Sequence, residues 1–304
     1  MTRTSARPVM AVVGIGRWGK NLIREFDSIA SIRIACSTGD KKNVRWLKQR
    51  YPHIAHTTDS GAVFCDQRIN AVVIATPIQT HAALAAAALR AGKHVFVEKP
   101  LATSTTQAEQ LYALAKKHRR ALFVGNTFLY HPVFQALQKR TRGDHVQHIH
   151  ASWNKFGTFD EDVLWNIAYH DILLALALCG APENAALLED AGGVSASDIV
   201  SIRLVFAKGQ RAHITVNRIS PKAAKTMVLV TRTHTFLWEQ DTLYMLRRKS
   251  NKFVSVFHSR QTPLANECRA FLKKIKAASF LPDDAALNIA AIRTLMRLRR
   301  YSPK

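Results

Sequence analysis

The chain has 304 residues, of which 47% are hydrophobic, and it carries 44 Lys and Arg against 21 Asp and Glu. This length and apolar content predict a folded protein with a substantial core and two domains. No apolar run approaches the ~20 residues that a membrane-spanning helix needs, and no signal-peptide pattern precedes the first predicted strand. We therefore expect a cytoplasmic protein that does not bind a membrane.

The net charge of the chain is strongly positive, at +23. The excess is spread evenly, because residues 1–125 carry +12 and the remainder carries +11. A spread excess of Lys and Arg suits a protein that takes an anionic substrate or cofactor, and it also permits weak, salt-sensitive binding to nucleic-acid phosphates. We therefore expect no sequence-specific nucleic-acid partner.

Neither the cysteines nor the histidines predict a metal site. The four cysteines lie far apart, form no CxxC pair and mostly have apolar neighbours, which predicts reduced, buried thiols rather than a zinc site. His148 and His150 share one face of a predicted strand, but the sequence shows no evident third ligand near them.

Short apolar segments alternate with helical patterns over the first 125 residues. These segments are typical of buried strands, and they read VMAVVG, IRIACS, IAHTT, AVVIAT, HVFVEK and ALFVGN. Strands that alternate with helices predict a parallel sheet, because parallel neighbours need crossover connections. Segments that are apolar throughout indicate a sheet covered on both faces. The sequence therefore predicts an α/β domain over residues 1–125.

The pattern changes after Pro132, where longer strands alternate apolar and polar residues. This alternation is typical of an antiparallel sheet with one face in water. Helical segments are predicted around 163–179 and 264–277, and a final helix over 284–300. We therefore predict an α+β domain over 126–304, built on a large, open, mostly antiparallel sheet, with the final helix able to return to the first domain.

A glycine-rich loop joins the first predicted strand to the first predicted helix. Gly14, Gly16 and Gly19 form the pattern GxGxxG in the strand-to-helix context that a dinucleotide-binding loop requires. The first glycine permits the tight turn, the second allows a pyrophosphate to approach the backbone, and the third permits close packing of helix on strand. Backbone N–H groups at the helix N-terminus then face the anion. The first domain is therefore predicted to be a Rossmann domain.

The end of the second predicted strand indicates which dinucleotide is bound. An acidic residue that binds the ribose hydroxyls of NAD should end this strand, but Ser37 and Thr38 stand there and Asp40 comes later. The hydroxyls and the following Lys41 and Lys42 suit the 2′-phosphate of NADP. The sequence therefore favours NADP(H), with NAD(H) as the alternative.

Residues 71–104 carry the most specific pattern in the chain. It contains Ala75-Thr76-Pro77 followed by His81, and AGKHVFVEKP ending in Glu98-Lys99-Pro100. Both elements closely resemble the glucose-fructose oxidoreductase/inositol dehydrogenase family, Gfo/Idh/MocA. The resemblance extends over nearly the whole chain, through GNTFLYHPVF, LWNIAYHDI and the C-terminal helices. It is closest to the branch of UDP-sugar 3-dehydrogenases, which shares the glycine-loop pattern GxWGxNLxR, the pattern LWNxxxHDI and a hairpin like SPKAAK.

The resemblance implies an oxidoreductase that moves a hydride between a nicotinamide and a secondary alcohol or ketone of a sugar or sugar nucleotide. Lys99 would stabilise the charge on the reacting oxygen, and His170 would be the acid/base, because imidazole titrates near neutral pH. Asn166 would orient the substrate from one turn before His170, although many members of the family carry Asp there. Tyr169 replaces a proline that is common in the branch.

The expected sites are then as follows. The cofactor would contact Gly14, Ile15, Gly16, Arg17, Trp18, Gly19, Ser37, Thr38, Lys41, Thr76, Pro77, His81, Glu98 and Lys99. The substrate would contact Lys99, Asn126, Asn154, Lys155, Asn166, Tyr169 and His170, and no metal is expected. The family's open sheet commonly forms subunit interfaces, which implies a homodimer or homotetramer.

Two alternatives remain open at this point. One is a different reaction on the same fold, such as reduction of a keto-sugar or oxidation of a cyclitol. The other is a catalytically idle NADP-binding regulator or a nucleic-acid binder. The basic charge and Asn166 favour this class, whereas the presence of Lys99 and His170 opposes it.

Overall fold

The computed structural model describes residues 7–247, 249–277 and 284–300. The chain divides into two compact units, of which the first comprises Met1–Thr127 and Leu264–Ala285, and the second comprises Phe128–Pro263 and Ala286–Lys304. Within the described residues, no helix is long and apolar enough to cross a membrane.

The first unit is built on a parallel sheet of short strands, which are mostly buried at its centre and partly exposed at the β3 edge. The strands are β1 (Val9–Val13), β2 (Ser31–Cys36), β3 (Ala55–Thr57), β4 (Ala71–Ile74), β5 (His94–Glu98) and β6 (Leu122–Gly125). Their order in the sheet is β3-β2-β1-β4-β5-β6, and each described pair is parallel. This is the doubly wound order of a dinucleotide-binding domain, which confirms the predicted fold of this unit.

Helices supply the crossover connections of the first unit. They are α1 (Arg17–Ile29), α2 (Lys41–Arg50), α3 (Ser60–Cys65), α4 (Ile78–Arg90) and α5 (Thr105–His118). A further helix, α8 (Pro263–Lys276), comes from the C-terminal part of the chain and belongs to this unit from Leu264 onward. Phe271 of α8 packs its ring 5.6 Å from that of Phe96 on β5 and 6.1 Å from that of Phe26 on α1. All three side chains are fully buried. An aromatic cluster of this kind contributes through buried area and edge-to-face contacts.

The second unit is built on an eight-stranded sheet in the order β14-β13-β12-β11-β7-β10-β9-β8. Its strands are β7 (Val146–Asn154), β8 (Pro182–Ala191), β9 (Ile199–Phe206), β10 (Arg211–Asn217), β11 (Ala224–Thr231), β12 (Thr235–Glu239), β13 (Thr242–Arg247) and β14 (Lys252–His258). Strands β7 and β10 run parallel, and the other described pairs are antiparallel. The expected mostly antiparallel sheet is therefore confirmed.

The helices of the second unit are α6 (Pro132–Thr141), α7 (Tyr169–Cys179) and α9 (Ala285–Arg300), the last belonging to this unit from Ala286 onward. Buried residues alternate along the central strands, as in β10, where Ala212, Ile214 and Val216 are fully buried. Helix α7 is apolar on most of its surface, because it packs on β7 and β10. This packing places the start of α7 beside the end of β7.

Three features of the fold differ from the sequence-based expectation. Strand β8 and helix α6 were not expected, and Cys65 is exposed whereas Cys36 and Cys268 are buried. The sequence of β8, PENAALLEDA, is rich in Ala and Glu, which are poor strand formers. It forms a strand because it pairs with β9 at the edge of the sheet.

Candidate active site

The glycine loop of the first unit fits a bound dinucleotide. A Cβ at Gly14, whose φ is +103°, would lie 2.2 Å from the Ala75 carbonyl oxygen, and a Cβ at Gly19 would lie 2.0 Å from the Gly14 carbonyl oxygen. A Cβ at Gly16 would meet nothing within 4 Å. Gly14 and Gly19 are therefore required by close packing, and the backbone at Gly16 borders open space, as the approach of a pyrophosphate needs.

The N-terminus of α1 is available to an anion. Gly16 is its N-cap residue and supplies no side-chain cap, and neither Arg17 nor Trp18 is acidic. Uncapped N–H groups at the start of a 13-residue helix attract a phosphate through their partial positive charge. Arg17 is exposed beside this terminus, and Ile15 is buried beneath it.

The end of β2 contains the residues expected to select the cofactor. The Ser37 hydroxyl lies 3.0 Å from His56 Nε2, and Thr38 is exposed. Asp40 accepts a hydrogen bond from the backbone N–H of Asn43, at 2.8 Å, as the N-cap of α2. Lys41 is the exposed first residue of that helix. The Asp40 carboxylate is thus used to cap α2, which is an ordinary role of Asp at this position.

His81 is a buried structural link in the first unit. Its ring nitrogens lie 2.8 Å from the carbonyl oxygens of Pro100 and Thr76, and the side chain is 2% exposed. Burial is the main reason why the pKa of His81 is lowered. His81 therefore fixes the Lys99–Pro100 segment, which contains a cis peptide bond, against the Thr76-Pro77 turn at the start of α4.

Glu98, the last residue of β5, is buried directly before Lys99. Its carboxylate accepts hydrogen bonds from the Trp18 indole N–H and from the Lys99 backbone N–H, the latter at 3.2 Å. Burial raises the pKa of Glu98, and the Lys99 charge opposes that rise. The Trp18 contact ties the first turn of α1 to the end of β5, so Glu98 positions the half-buried Lys99.

A second buried carboxyl group, Glu267 of α8, lies in the same unit. Its side chain is 0% exposed and accepts a hydrogen bond from the Thr127 hydroxyl at 2.9 Å, whereas its Oε1 has no hydrogen-bond partner among the described residues. Burial, followed by the charge of Glu98, raises the pKa of Glu267 well above its usual value. Both carboxyl groups, Glu98 and Glu267, therefore hold a proton at higher pH than exposed glutamates do.

The raised pKa values of Glu98 and Glu267 predict that the protein loses stability as pH rises. A folded-state pKa above 4.5 means that the unfolded chain releases a proton that the folded chain keeps, so the melting temperature should fall from about pH 4.5 upward. Between the unfolded-state and folded-state pKa values, each pH unit lowers the free energy of unfolding by about 1.4 kcal/mol per group. Glu267→Gln should flatten this dependence, whereas Glu183→Gln, at an exposed position, should not. Calorimetry between pH 5 and 8 checks this, and identical pH profiles for the wild type and Glu267→Gln would contradict it.

The histidine expected to act as acid/base lies in the second unit, at the start of α7. Asp162 caps the preceding turn, because its carboxylate accepts from the backbone N–H groups of Leu164 and Trp165 at 2.9 and 3.2 Å. Residues Leu164–Ala168 then form a π-helical turn that contains Asn166 and leads directly into α7. Such turns are rare and often occur at functional sites. His170 is half-buried on the first turn of α7.

Aromatic rings and one ion pair surround His170. The ring of Phe128 lies 4.9 Å from the His170 ring, and that of Trp153 lies 5.6 Å away. Asp171, the next residue, is 1% exposed and bonds the ammonium group of Lys225 at 2.5 Å. The sequence-based reasoning did not assign Lys225, Asp171 or Phe128 to the site. Asp171 is the neighbour of His170 and could have been suspected. Lys225 ends the hairpin SPKAAK that resembles the branch, but the sequence does not indicate that this lysine meets Asp171 beside His170.

A small cavity adjoins this cluster within the second unit. Its volume is about 120 Å³, and its lining residues are Phe128, His131, Lys225, Thr226, Met227, Trp238, Gln240 and Asp241. Burial lowers the pKa of His131 to about 4, so its imidazole is neutral at pH 7. The cavity thus combines aromatic surfaces with hydrogen-bonding groups, as small-molecule sites commonly do.

The structure places four further expected substrate residues as follows, and two of them, Tyr169 and Lys155, contact members of the His170 cluster. Asn154 follows Trp153 in β7 and so points to the opposite face of the sheet. Tyr169 is buried and its hydroxyl lies 3.5 Å from Asn288 Oδ1 of α9. Lys155 has its ammonium group 5.7 Å from the centre of the Trp153 ring. Asn126 is buried in the first unit, after β6.

Residues 9–126 match the family model of the Gfo/Idh/MocA oxidoreductases, which describes an NAD-binding Rossmann fold. These residues belong to the Gfo/Idh/MocA family. The match contains the glycine loop, the Thr76-Pro77 turn with His81, and the Glu98-Lys99-Pro100 segment, and so confirms the resemblance seen in the sequence.

A curated relative in this family is UDP-N-acetylglucosamine 3-dehydrogenase of Acidithiobacillus ferrooxidans. It is 28% identical over 162 residues, which make up 52% of each protein, so the aligned segment spans about half the length of this relative. The crystal structure of the same enzyme, GnnA, aligns over 96% of both chains with a TM-score of 0.87 and 21% identity. At this identity the structural match establishes the fold of the aligned residues and nothing beyond the fold.

Two further solved structures of the same fold contain different cofactors. GenD2 from gentamicin A biosynthesis, in complex with NAD, aligns over 97% of this chain and 94% of its own with a TM-score of 0.82 and 20% identity. Biliverdin reductase of Synechocystis, in complex with biliverdin and NADP⁺, aligns over 96% and 98% with a TM-score of 0.81 and 19% identity. Proteins of this fold thus bind either dinucleotide.

Proposed function

We propose that this chain is an NAD(P)-dependent oxidoreductase that acts on a secondary alcohol, or the corresponding ketone, of a sugar or sugar nucleotide. The observation that carries the proposal is the arrangement after β5. His81 and Glu98 are buried and bonded to neighbouring groups, and they hold Lys99 half-buried at the carboxyl end of the strand. Ligands of doubly wound sheets bind at such strand ends.

The residues around the glycine loop fit a nicotinamide dinucleotide. The open space at Gly16 and the uncapped start of α1 would hold the pyrophosphate. When bound, the nicotinamide accepts or gives the hydride. Lys99 would donate a hydrogen bond to the reacting oxygen and stabilise the charge that develops on it.

The second unit would supply the acid/base. His170 would take the hydroxyl proton during oxidation and return it during reduction, a role that suits imidazole near neutral pH. Asn166, on the turn before α7, would orient the substrate through its side-chain amide, which cannot take a proton at neutral pH. The substrate class is supported by the relative that is named UDP-N-acetylglucosamine 3-dehydrogenase.

The proposal is tested by offering the protein a panel of UDP-sugars, free sugars and cyclitols with each cofactor, while the absorbance of the reduced nicotinamide is followed. Turnover of UDP-sugars alone supports the sugar-nucleotide assignment. Turnover of free sugars or cyclitols alone would replace it with one of the related reactions on the same fold.

We also propose that the cofactor is NADP(H). With Asp40 capping α2, the end of β2 presents hydroxyls and the exposed Lys41 instead of a ribose-binding carboxylate. We expect NADPH to bind more tightly than NADH, and Lys41→Met to weaken NADPH binding about ten- to a hundredfold, which is the range for a hydrogen bond to a charged group. NADH binding should not change.

Calorimetric titration of both cofactors measures this preference. Lys48→Met is a matched control, because Lys48 is exposed on the same helix but in its last turn. Tighter binding of NADH to the wild type would contradict the preference and would indicate that Asp40 leaves the cap to bind the ribose.

A further inference from the structure

Lys225 lies on the strand beside Trp153 and reaches toward α7. It is the second residue of β11 and pairs in register with Trp153 of β7. Its ammonium group lies 3.9 Å from the centre of the Trp153 ring, 4.8 Å from the centre of the Phe128 ring and 2.5 Å from the Asp171 carboxylate. A cation held by two rings and one carboxylate has little freedom to move.

Each of the three groups that Lys225 contacts is itself in contact with His170 or adjacent to it in the chain. Phe128 and Trp153 are the two rings nearest to the His170 imidazole, with interplanar angles of 70° and 48°, and the ring of the adjacent Tyr169 lies 6.0 Å away. Asp171 is the next residue in α7. The position of the imidazole therefore depends on three groups that a single ammonium group holds together.

We propose that Lys225 is a positioning residue for His170. Through the two rings and Asp171, it fixes the imidazole in the orientation that proton transfer needs. The catalytic part of this inference rests on the proposed oxidoreductase function, whereas the structural part does not.

The local charges argue against a role for Lys225 in binding a substrate phosphate. Its charge is already matched by Asp171, and Asp241 adds a second carboxylate to the lining of the adjoining cavity. The third titratable group there, His131, is neutral at pH 7 because burial lowers its pKa to about 4. A second cation, Lys155, lies 5.7 Å from the centre of the Trp153 ring, but the Lys225 ammonium group is itself paired with Asp171, so an anion would gain little from Lys225.

Folding stability alone also does not account for the ion pair between Lys225 and Asp171. Buried ion pairs contribute little net stability, because the cost of desolvation offsets their attraction. Asp171 is almost fully buried, and its second oxygen, Oδ2, has no hydrogen-bond partner among the described residues. Lys225 thus neutralises the buried Asp171 carboxylate. Because Asp171 follows His170 in the first turn of α7, the ion pair fixes the position of that turn.

The first test needs no substrate. The imidazole signals of the ¹³C-histidine-labelled protein are recorded by NMR, and the His170 signal is assigned by its loss in His170→Gln. In the wild type, the flanking rings should shift this signal by ring currents. In Lys225→Met it should move toward the position of an imidazole without ring contacts, whereas Lys222→Met, an exposed change in the same hairpin, should leave it in place.

The second test measures turnover with the sugar substrate. Lys225→Met should lower kcat about 10- to 100-fold, as a misplaced catalytic group does, with little change in KM. Lys225→Arg keeps the cation, the ring contacts and the bond to Asp171, and should retain most of kcat. If Lys225→Met does not fold, Lys225→Met with Asp171→Asn replaces it, because this double variant leaves no unpaired buried charge. The double variant should show the same shift and the same loss of kcat.

The two tests separate this inference from the proposed function. An unmoved His170 signal in a folded Lys225→Met protein overturns the positioning role, as does a rise in KM with kcat unchanged. A lowered kcat with an unmoved signal also overturns it, in favour of direct contact with the substrate. If the wild type turns over no sugar, the proposed function fails, and the shift of the His170 signal still decides the structural claim.

Discussion

His170→Ala should lower the rate of hydride transfer by ~100- to 10,000-fold, the usual cost of losing a general acid/base. The hydroxyl proton must leave as the hydride leaves, and His170 is the imidazole at the start of α7 among the aromatic rings of the second unit. The affinity for NADPH should change little, because the glycine loop belongs to the first unit. The measurement is single-turnover hydride transfer beside a cofactor titration.

His258→Ala is the matched control for this variant, since His258 is exposed at the end of the edge strand β14 in the same unit. It should keep the wild-type rate. If His170→Ala retains more than about a tenth of that rate, which falls short of the acid/base range, His170 is not the base. The proton would then leave through Lys99 or a water molecule.

Lys99→Met should lower the same rate by ~100- to 1,000-fold, the range for losing one donor that stabilises a developing oxyanion. Methionine keeps much of the length and apolar stem of lysine but provides no N–H donor. The buried Glu98 and His81 fix the segment on either side of Lys99, so the substitution should leave the fold intact. A binding contact that is equal in the ground and transition states would not produce such a loss.

Lys116→Met on the exposed face of α5 is the control, and it should change neither rate nor affinity. The role assigned to Lys99 predicts a large fall in rate with a small fall in NADPH affinity. Equal losses in the two quantities would contradict that role and would make Lys99 a cofactor-binding residue only.

The parallel sheet of the first unit could be predicted from sequence because its signals are local. The strands other than β3 are short, mostly apolar segments, and the glycine loop and the Glu98-Lys99-Pro100 segment lie at strand ends. Helix α8 shows the limit of such signals. Its amphipathic pattern predicted a helix, but only the tertiary structure shows that Phe271 and Glu267 are buried in the first unit.

The surroundings of His170 could not be predicted in the same way. Lys225 and Asp171 lie 54 positions apart in the chain, and they meet because β11 pairs with β7 beneath α7. Strand register decides this contact, and a slip of one residue would turn Lys225 to the other face of the sheet. The expected residue Asn154 illustrates the same rule, because its place in β7 puts it on the opposite face from Trp153.

The central claim is that this chain moves a hydride from the carbon of a secondary alcohol to a nicotinamide, and isotope transfer tests it most directly. UDP-sugars that carry deuterium on the candidate carbinol carbon are incubated with the protein and NADP⁺, and the reduced cofactor is examined by mass spectrometry and NMR. The proposed function predicts deuterium on the nicotinamide ring with the wild type and almost none with His170→Ala in the same reaction time. A wild-type protein that binds NADP⁺ but transfers no deuterium from any sugar, sugar nucleotide or cyclitol would contradict the claim and would identify the chain as a cofactor-binding protein without dehydrogenase activity.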